Sequence, residues 1–157
     1  MTGRTERCFG VRRLAQIAAL SVAFWLGSCG ADLYGRAHVD EVNRWLDNFA
    51  HLKPKRVLRG RASYYHDSLA GNPTANGEIY DPRVLSAASR TLPFGTIVRV
   101  VRLDAEQSVL VRVNDRGPFG DKRRILDLSR QAATRLQMLR KGVAPIRAEI
   151  LWTPTDR

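Results

Sequence analysis

A carboxylate follows an apolar, strand-like segment, at a place where a reactive side chain would be held in a fixed direction. Valine at every second position from 109 to 113 predicts a strand, which runs into Asp115 and then a Gly117-Pro118 turn. Rigid strand ends favour functional groups, so Asp115 is a candidate catalytic acid. The alternative is turn chemistry, because Asn and Asp can end a strand by bonding their own backbone.

A second group of polar residues lies in the loop predicted at 67–77, which is rich in Gly, Asn, Pro and Thr, and at its end. This group reads Thr74-Ala75-Asn76-Gly77-Glu78 and supplies a second carboxylate. Composition alone favours a structural explanation, with Glu78 as a surface carboxylate and Thr74 as a turn hydroxyl.

Other common kinds of site find no support in the sequence. The three histidines (His38, His51 and His66) lack ligand spacing, and no CxxC pair occurs. No serine lies in a GxSxG elbow, and the turn at 71–73 is not followed by the GK[ST] of a phosphate loop. We therefore expect no metal and no cofactor.

Short strands separated by turns are predicted from residue 60 onward. Between the last two strands, Ser129 can cap a helix with an apolar face that Gly142 ends. Many short strands and one inserted helix, without βαβ alternation, predict a mainly β fold, either a small barrel or a sandwich. The predicted strands are 61–66, 84–89, 96–103, 108–114, 124–127 and 146–151.

The segment before this domain has a helical pattern. Within the predicted linker, residues 29–59, apolar residues recur at three- and four-residue spacing and predict an amphipathic helix over about 38–52. Pro54 would stop it. We expect its apolar face to dock on the domain at 60–153, with a partner helix or a membrane surface as alternatives. Residues 154–157 are a predicted tail.

The N-terminus, residues 1–28, has the layout of a bacterial lipoprotein signal peptide. Four arginines precede an apolar stretch at 14–26 that is short for a membrane span. It ends in Leu26-Gly27-Ser28-Cys29, which resembles a lipobox, in which the cysteine carries the lipid. The alternative is an ordinary signal peptide or anchor helix. We expect a lipid on Cys29 and a location on the periplasmic face, at the outer membrane because Gly30 is not the Asp of inner-membrane retention.

The charge of the chain indicates attraction to polyanions without identifying one. The formal net charge is +11, from 26 basic and 15 acidic residues. The basic residues are scattered, and no helix-turn-helix, RNP-like or zinc-finger pattern accompanies them. Export across a membrane also argues against nucleic acid, so a solvated basic surface is the better interpretation.

Five segments follow one another between about Gly60 and Leu151. They are Arg61–Tyr65, Thr74–Glu78 with Tyr80 and Asp81, Leu92–Thr96, Val111–Phe119 and Ile125–Ser129. Together they resemble the rare lipoprotein A family of bacterial envelope proteins. The resemblance implies a six-stranded double-psi β-barrel. It also implies a lytic transglycosylase that cleaves peptidoglycan glycan strands, with a preference for strands without stem peptides.

The resemblance also implies roles for individual residues. Asp115 matches the catalytic aspartate, which protonates the glycosidic oxygen and then acts as the base. Glu78 matches a second site carboxylate that could orient sugar hydroxyls or assist proton transfer. The side chains expected to bind substrate are Tyr65, Thr74, Asn76, Asn114 and Arg116.

One position departs from the family pattern. Ser89 stands where the family usually carries a histidine, and serine cannot carry positive charge or shuttle a proton at neutral pH. It could still donate a hydrogen bond to Asp115. The departure leaves a non-catalytic, glycan-binding lipoprotein as the alternative function.

Overall fold

The computed structural model describes residues 30–155, with side chains from residue 35 onward. The predicted signal peptide and Cys29 lie outside these residues. A compact unit at residues 36–157 contains every strand of the described chain. The elements are α1 (Gly30–Asp47), β1 (Arg56–Tyr64), β2 (Ser86–Ala88), β3 (Ile97–Arg102), β4 (Ser108–Asp115), β5 (Arg124–Leu128), α2 (Arg130–Arg135) and β6 (Ala144–Trp152).

The six strands form a closed barrel in the order β1-β5-β2-β4-β3-β6. The pairs β1/β5 and β2/β4 are parallel, and the other pairs are antiparallel. Closure gives every strand two partners and leaves no open edge to pair with another chain. The prediction of a six-stranded barrel with one inserted helix is confirmed.

The barrel core follows from the alternation that the sequence shows. In β4, the valines at 109, 111 and 113 are all buried, whereas Leu110 and Arg112 between them are only partly buried. Gly60 lets β1 approach β5 closely, because a Cβ there would lie 2.8 Å from Ile125 Cγ2. The alternation of buried and partly buried residues therefore places one face of each strand in the core. The strand ends remain available for the residues of the site.

Within the barrel domain, two element boundaries differ from the prediction by more than two residues. β1 begins at Arg56, inside the predicted linker, because residues 56–59 pair with 147–150 of β6. Three arginines in six residues concealed this strand. α2 ends at Arg135 rather than near Gly142, because Gln137 adopts a left-handed conformation (φ 53°) that a continuing helix does not allow.

The helix before the barrel begins earlier and ends earlier than predicted. α1 covers Gly30–Asp47. It is followed by turns in which an N–H bonds the carbonyl three residues earlier, as from Phe49 to Leu46 at 3.0 Å. Leu46 is buried in the barrel core cluster. Asn43 donates to the carbonyl of Arg83 and accepts from the N–H of Leu85, so the helix end is fixed by both apolar and polar contacts. Neither helix of the described chain is long and apolar enough to cross a membrane.

Candidate active site

Asp115 is the last residue of β4, and its carboxylate is held by three donors from three parts of the chain. The hydroxyl of Tyr65 donates to Oδ2 at 2.6 Å. The backbone N–H groups of Ala75 and Arg116 each donate to Oδ1 at 2.8 Å. Asp115 remains partly exposed, so the carboxyl group is oriented by the protein and still open to a ligand.

Tyr65 directly follows β1, which places its hydroxyl beside Asp115. Its N–H bonds the carbonyl of Leu128, and its ring lies 4.7 Å from that of Tyr80. Burial raises the pKa of Tyr65, and the hydrogen bond to Asp115 and the negative charge of Asp115 raise it further. The phenol therefore stays protonated at physiological pH and can only donate to the carboxylate.

The loop at 74–78 is held together by its own side chains. The Thr74 hydroxyl donates to Asn76 Oδ1 at 2.7 Å, and this oxygen also accepts from the N–H of Glu78. The N–H of Asn76 bonds the carbonyl of Asn114 at 3.3 Å, which ties the loop to β4. Thr74 is buried, so the structure gives it a role in shaping the loop that presents the Ala75 N–H to Asp115.

Glu78 forms a bidentate ion pair with Arg112, with both N–O distances 2.7 Å. Asn114 Nδ2 donates to the same carboxylate at 3.0 Å. The hydrogen bonds from Arg112 are the largest cause that lowers the pKa of Glu78 from 4.5 to about 2. Glu78 is thus a carboxylate throughout the neutral range, which is incompatible with proton donation and leaves it an orienting or electrostatic role.

Asn114 is buried, and its side chain contacts the Glu78 carboxylate. Its amide nitrogen must face Glu78, because a carboxylate only accepts hydrogen bonds. Its amide oxygen is buried and has no hydrogen-bond partner among the described residues. The structure therefore shows Asn114 supporting the Glu78 carboxylate, and its substrate contact stays a prediction.

Arg116 points away from the Asp115 carboxylate. Its Nη1 donates to the carbonyls of Ser89 and Leu92, at 3.1 and 2.9 Å. Its guanidinium carbon lies 3.6 Å from the centre of the Phe94 ring, a cation–π contact. This side chain fastens the 89–94 segment to the end of β4, and only its backbone N–H contacts the acid.

Ser89 lies next to Asp115 along the barrel but does not contact its carboxylate. The N–H of Ser89 donates to the backbone carbonyl of Asp115 at 3.1 Å. The buried hydroxyl accepts from the N–H groups of Thr91 and Leu92, at 3.4 and 3.3 Å. The structure shows no hydrogen bond from the Ser89 hydroxyl to the acid. The hydroxyl instead stabilises the backbone turn that follows it, by accepting from these two N–H groups.

A further carboxylate, Asp127, lies one strand away from the acid, and the sequence analysis did not assign it to the site. Ala88 of β2 pairs with Asp115 on one side and with Asp127 of β5 on the other. Asp127 accepts from the Ser63 hydroxyl and from Arg124, and its charge contributes to the raised pKa of Tyr65. The strand order, which the sequence does not reveal, brings these two aspartates to either side of β2.

No cluster of metal-ligating side chains accompanies the acid in the described chain. Residues 30–155 contain no group of three or more His, Cys, Asp or Glu that could hold a metal ion. A cavity of about 710 Å³ lies between α1 and α2 and includes neither Asp115 nor Glu78 in its lining. Asp115 is partly exposed, so its carboxyl group can be approached from solvent by a polymer.

Comparison with curated proteins finds close relatives over the barrel. A protein of Treponema pallidum (strain Nichols), named probable endolytic peptidoglycan transglycosylase RlpA, is 52% identical over 90 residues, which cover 57% of this chain and 28% of that protein. A Campylobacter jejuni protein, named endolytic peptidoglycan transglycosylase RlpA, is 47% identical over 92 residues, or 59% of this chain and 33% of that protein. The chain thus matches no more than a third of the length of either relative.

Two solved structures share the fold at low sequence identity. The Streptomyces papain inhibitor superposes with a TM-score of 0.51 and 24% identity, over 64% of this chain and 99% of that one. The apo expansin of Clavibacter michiganensis gives 0.50 and 24%, over 63% and 52%. These likenesses support the double-psi barrel and carry no information on activity.

The family profile described as lytic transglycolase, a double-psi β-barrel domain, matches residues 57–148. This range covers more than half of the chain and all six strands except the first residue of β1 and the last four of β6. The two relatives bear the RlpA name, so the predicted membership in the rare lipoprotein A group is confirmed. The chain belongs to the lytic transglycolase family of double-psi β-barrel domains.

Proposed function

We propose that the chain is a lytic transglycosylase that cleaves peptidoglycan glycan strands, preferring strands without stem peptides, and leaves 1,6-anhydromuramyl ends. The observation that carries the proposal is the partly exposed Asp115 carboxyl group, oriented by Tyr65, Ala75 and Arg116. The names of the relatives support peptidoglycan as the substrate.

In this mechanism one carboxyl group serves as acid and then as base. Protonated Asp115 gives its proton to the glycosidic oxygen as the C1–O bond of N-acetylmuramic acid breaks. The C6 hydroxyl oxygen of the same sugar attacks C1, and its proton returns to the Asp115 carboxylate. No water is consumed, and no second ionising group is needed, which separates this reaction from two-carboxylate hydrolysis.

The three donors around Asp115 favour the first step. When Asp115 gives up its proton, the carboxylate left behind gains negative charge, and hydrogen bonds to a charged acceptor are stronger than those to a neutral one. Relative to the state in which Asp115 is protonated, Tyr65 and the two backbone N–H groups therefore stabilise the transition state. Glu78, ionised and held by Arg112, has no proton to give and can only accept hydrogen bonds, for example from sugar hydroxyl groups.

Digestion of denuded glycan strands by the full-length protein tests this proposal, with mass spectrometry of the released fragments. We expect 1,6-anhydromuramyl products from the wild type and about 10²- to 10⁴-fold less from an Asp115→Asn variant, the usual contribution of a general acid. Unchanged activity in the variant would remove Asp115 from the assigned role. Binding to the strands without any product would favour the glycan-binding alternative.

We also propose that the protein is held at the periplasmic face of the outer membrane by a lipid on Cys29. Support comes from the sequence alone: the basic and apolar segments, followed by Leu26-Gly27-Ser28-Cys29. Metabolic labelling with palmitate, followed by fractionation of the envelope, tests this proposal. A Cys29→Ala variant should lose the label and leave the membrane fraction, and a labelled variant would contradict the assignment.

A further inference from the structure

The ring of Phe119 lies largely in solvent, close to the candidate acid. It is 73% exposed, the highest value among the large hydrophobic side chains of the described residues that are exposed. Phe119 is four residues beyond Asp115, so even a fully extended chain would separate their Cα atoms by no more than about 14 Å. A ring at this distance can reach a polymer that is bound across the acid.

The backbone beneath the ring is fixed by two arginines. Arg124 Nη2 donates to the carbonyl of Phe119 at 2.8 Å, and Arg90 Nη1 donates to the carbonyl of Pro118 at 3.0 Å. Arg124 is itself anchored, with Nη1 2.8 Å from Ser63 Oγ. The turn therefore presents the ring from a rigid base, and little additional ordering is needed when a ligand covers it.

A second exposed apolar side chain stands on the other segment that contacts the acid. Ile79 is 63% exposed and lies four residues beyond Ala75, whose N–H donates to Asp115. The segments of Ala75 and Arg116, which both donate to Asp115, therefore each carry an exposed apolar side chain within four residues. A single exposed apolar residue is ordinary on a protein surface, but two beside one oriented acid suggest an elongated amphipathic ligand.

We propose that Phe119 is a stacking platform for a pyranose ring of the glycan, at a subsite adjacent to the one that is cleaved, with Ile79 contacting a neighbouring sugar. This inference rests on the proposed function. The C–H groups on a pyranose face carry partial positive charge and match the negative face of the Phe119 ring, while the hydroxyl groups at the sugar edge remain in water. Such a contact takes no part in proton transfer and contributes only to the affinity for the glycan.

The test measures binding and turnover separately in full-length variants of Phe119. Phe119→Ala should weaken the affinity of an Asp115→Asn background for denuded glycan strands by about fivefold to tenfold, equivalent to about 1–1.4 kcal/mol. In the active background, the same change should raise KM by a similar factor and leave kcat within about twofold, given uniform binding of ground and transition states. Phe119→Trp should retain or tighten binding.

Leu103→Ala provides the matched control. Leu103 is also exposed, at 42%, and lies after β3, where its N–H bonds the carbonyl of Pro145. Loss of binding in Phe119→Ala but not in Leu103→Ala supports the platform, and equal affinity of Phe119→Ala and its parent overturns it. If the wild type makes no anhydro product yet its binding depends on Phe119, the catalytic proposal fails while the platform stands.

Discussion

Removal of the Tyr65 hydroxyl is the sharpest test of how the site works. In Tyr65→Phe, Asp115 loses the 2.6 Å hydrogen bond to Oδ2 and keeps the two backbone donors on Oδ1. A hydrogen bond to a charged group contributes about 1.5–3 kcal/mol. If this hydrogen bond reaches its full strength as Asp115 becomes a carboxylate in the transition state, kcat should fall by roughly 10- to 150-fold in the variant.

The control makes the same chemical change on the neighbouring ring. The Tyr80 ring packs 4.7 Å from that of Tyr65, but its hydroxyl accepts from the N–H of Arg130 and does not contact Asp115. Tyr80→Phe should therefore keep kcat within about threefold, because only a modest neutral hydrogen bond is lost.

Initial rates of anhydromuramyl release at saturating glycan measure both variants, with melting curves to show that each is folded. A Tyr65→Phe variant with wild-type kcat would refute the idea that the phenol stabilises the developing carboxylate. Equal losses in Tyr65→Phe and Tyr80→Phe would show that the hydrogen bond to Asp115 is not the specific cause of the loss, because only Tyr65 makes it.

Two further variants separate support of the site from chemistry. Glu78→Gln should destabilise the fold by about 1 kcal/mol at neutral pH, a small value because Glu78 is partly exposed and solvent screens the pair. Folding lowers the pKa of Glu78 from 4.5 to about 2. The difference in Tm between Glu78→Gln and wild type should therefore have its full size above pH 4.5 and vanish as the pH falls towards 2. A difference that persisted at pH 2 would contradict this reasoning. Ser89→Ala should lower Tm by the equivalent of about 1–2 kcal/mol, because two backbone N–H groups lose their acceptor, while kcat stays within about twofold. A large loss of kcat with unchanged Tm would instead give Ser89 a part in proton transfer.

Local patterns were enough to predict most of the barrel. Alternating valines in 109–113 predicted a strand because one face of a strand in a barrel must be apolar, and these valines are buried. Ser129 was predicted to cap α2, and its side chain accepts from the Ala132 N–H. The start of β1 was missed because its arginines face solvent, and only the pairing with β6 makes the segment a strand.

Side-chain partners across the site could not be predicted in the same way. Glu78 and Arg112 are 34 positions apart, and no local pattern shows that their side chains meet. Arg116 follows Asp115 directly and could have paired with it, yet its guanidinium packs on Phe94. Sequence adjacency indicates which groups share a strand end, but the direction of each side chain depends on the neighbouring strands.

The sequence by itself determined which residue is the acid candidate, because Asp115 ends an apolar alternation and belongs to a motif that recurs in a known family. It also determined the strand content, through short-range periodicity. Only the tertiary structure decided that Tyr65 and Ala75 hold the acid, that Glu78 is locked to Arg112, and that the Ser89 hydroxyl serves the backbone. The physical reason is that barrel closure in the order β1-β5-β2-β4-β3-β6 joins segments distant in the chain, and hydrogen bonds depend on that spatial order.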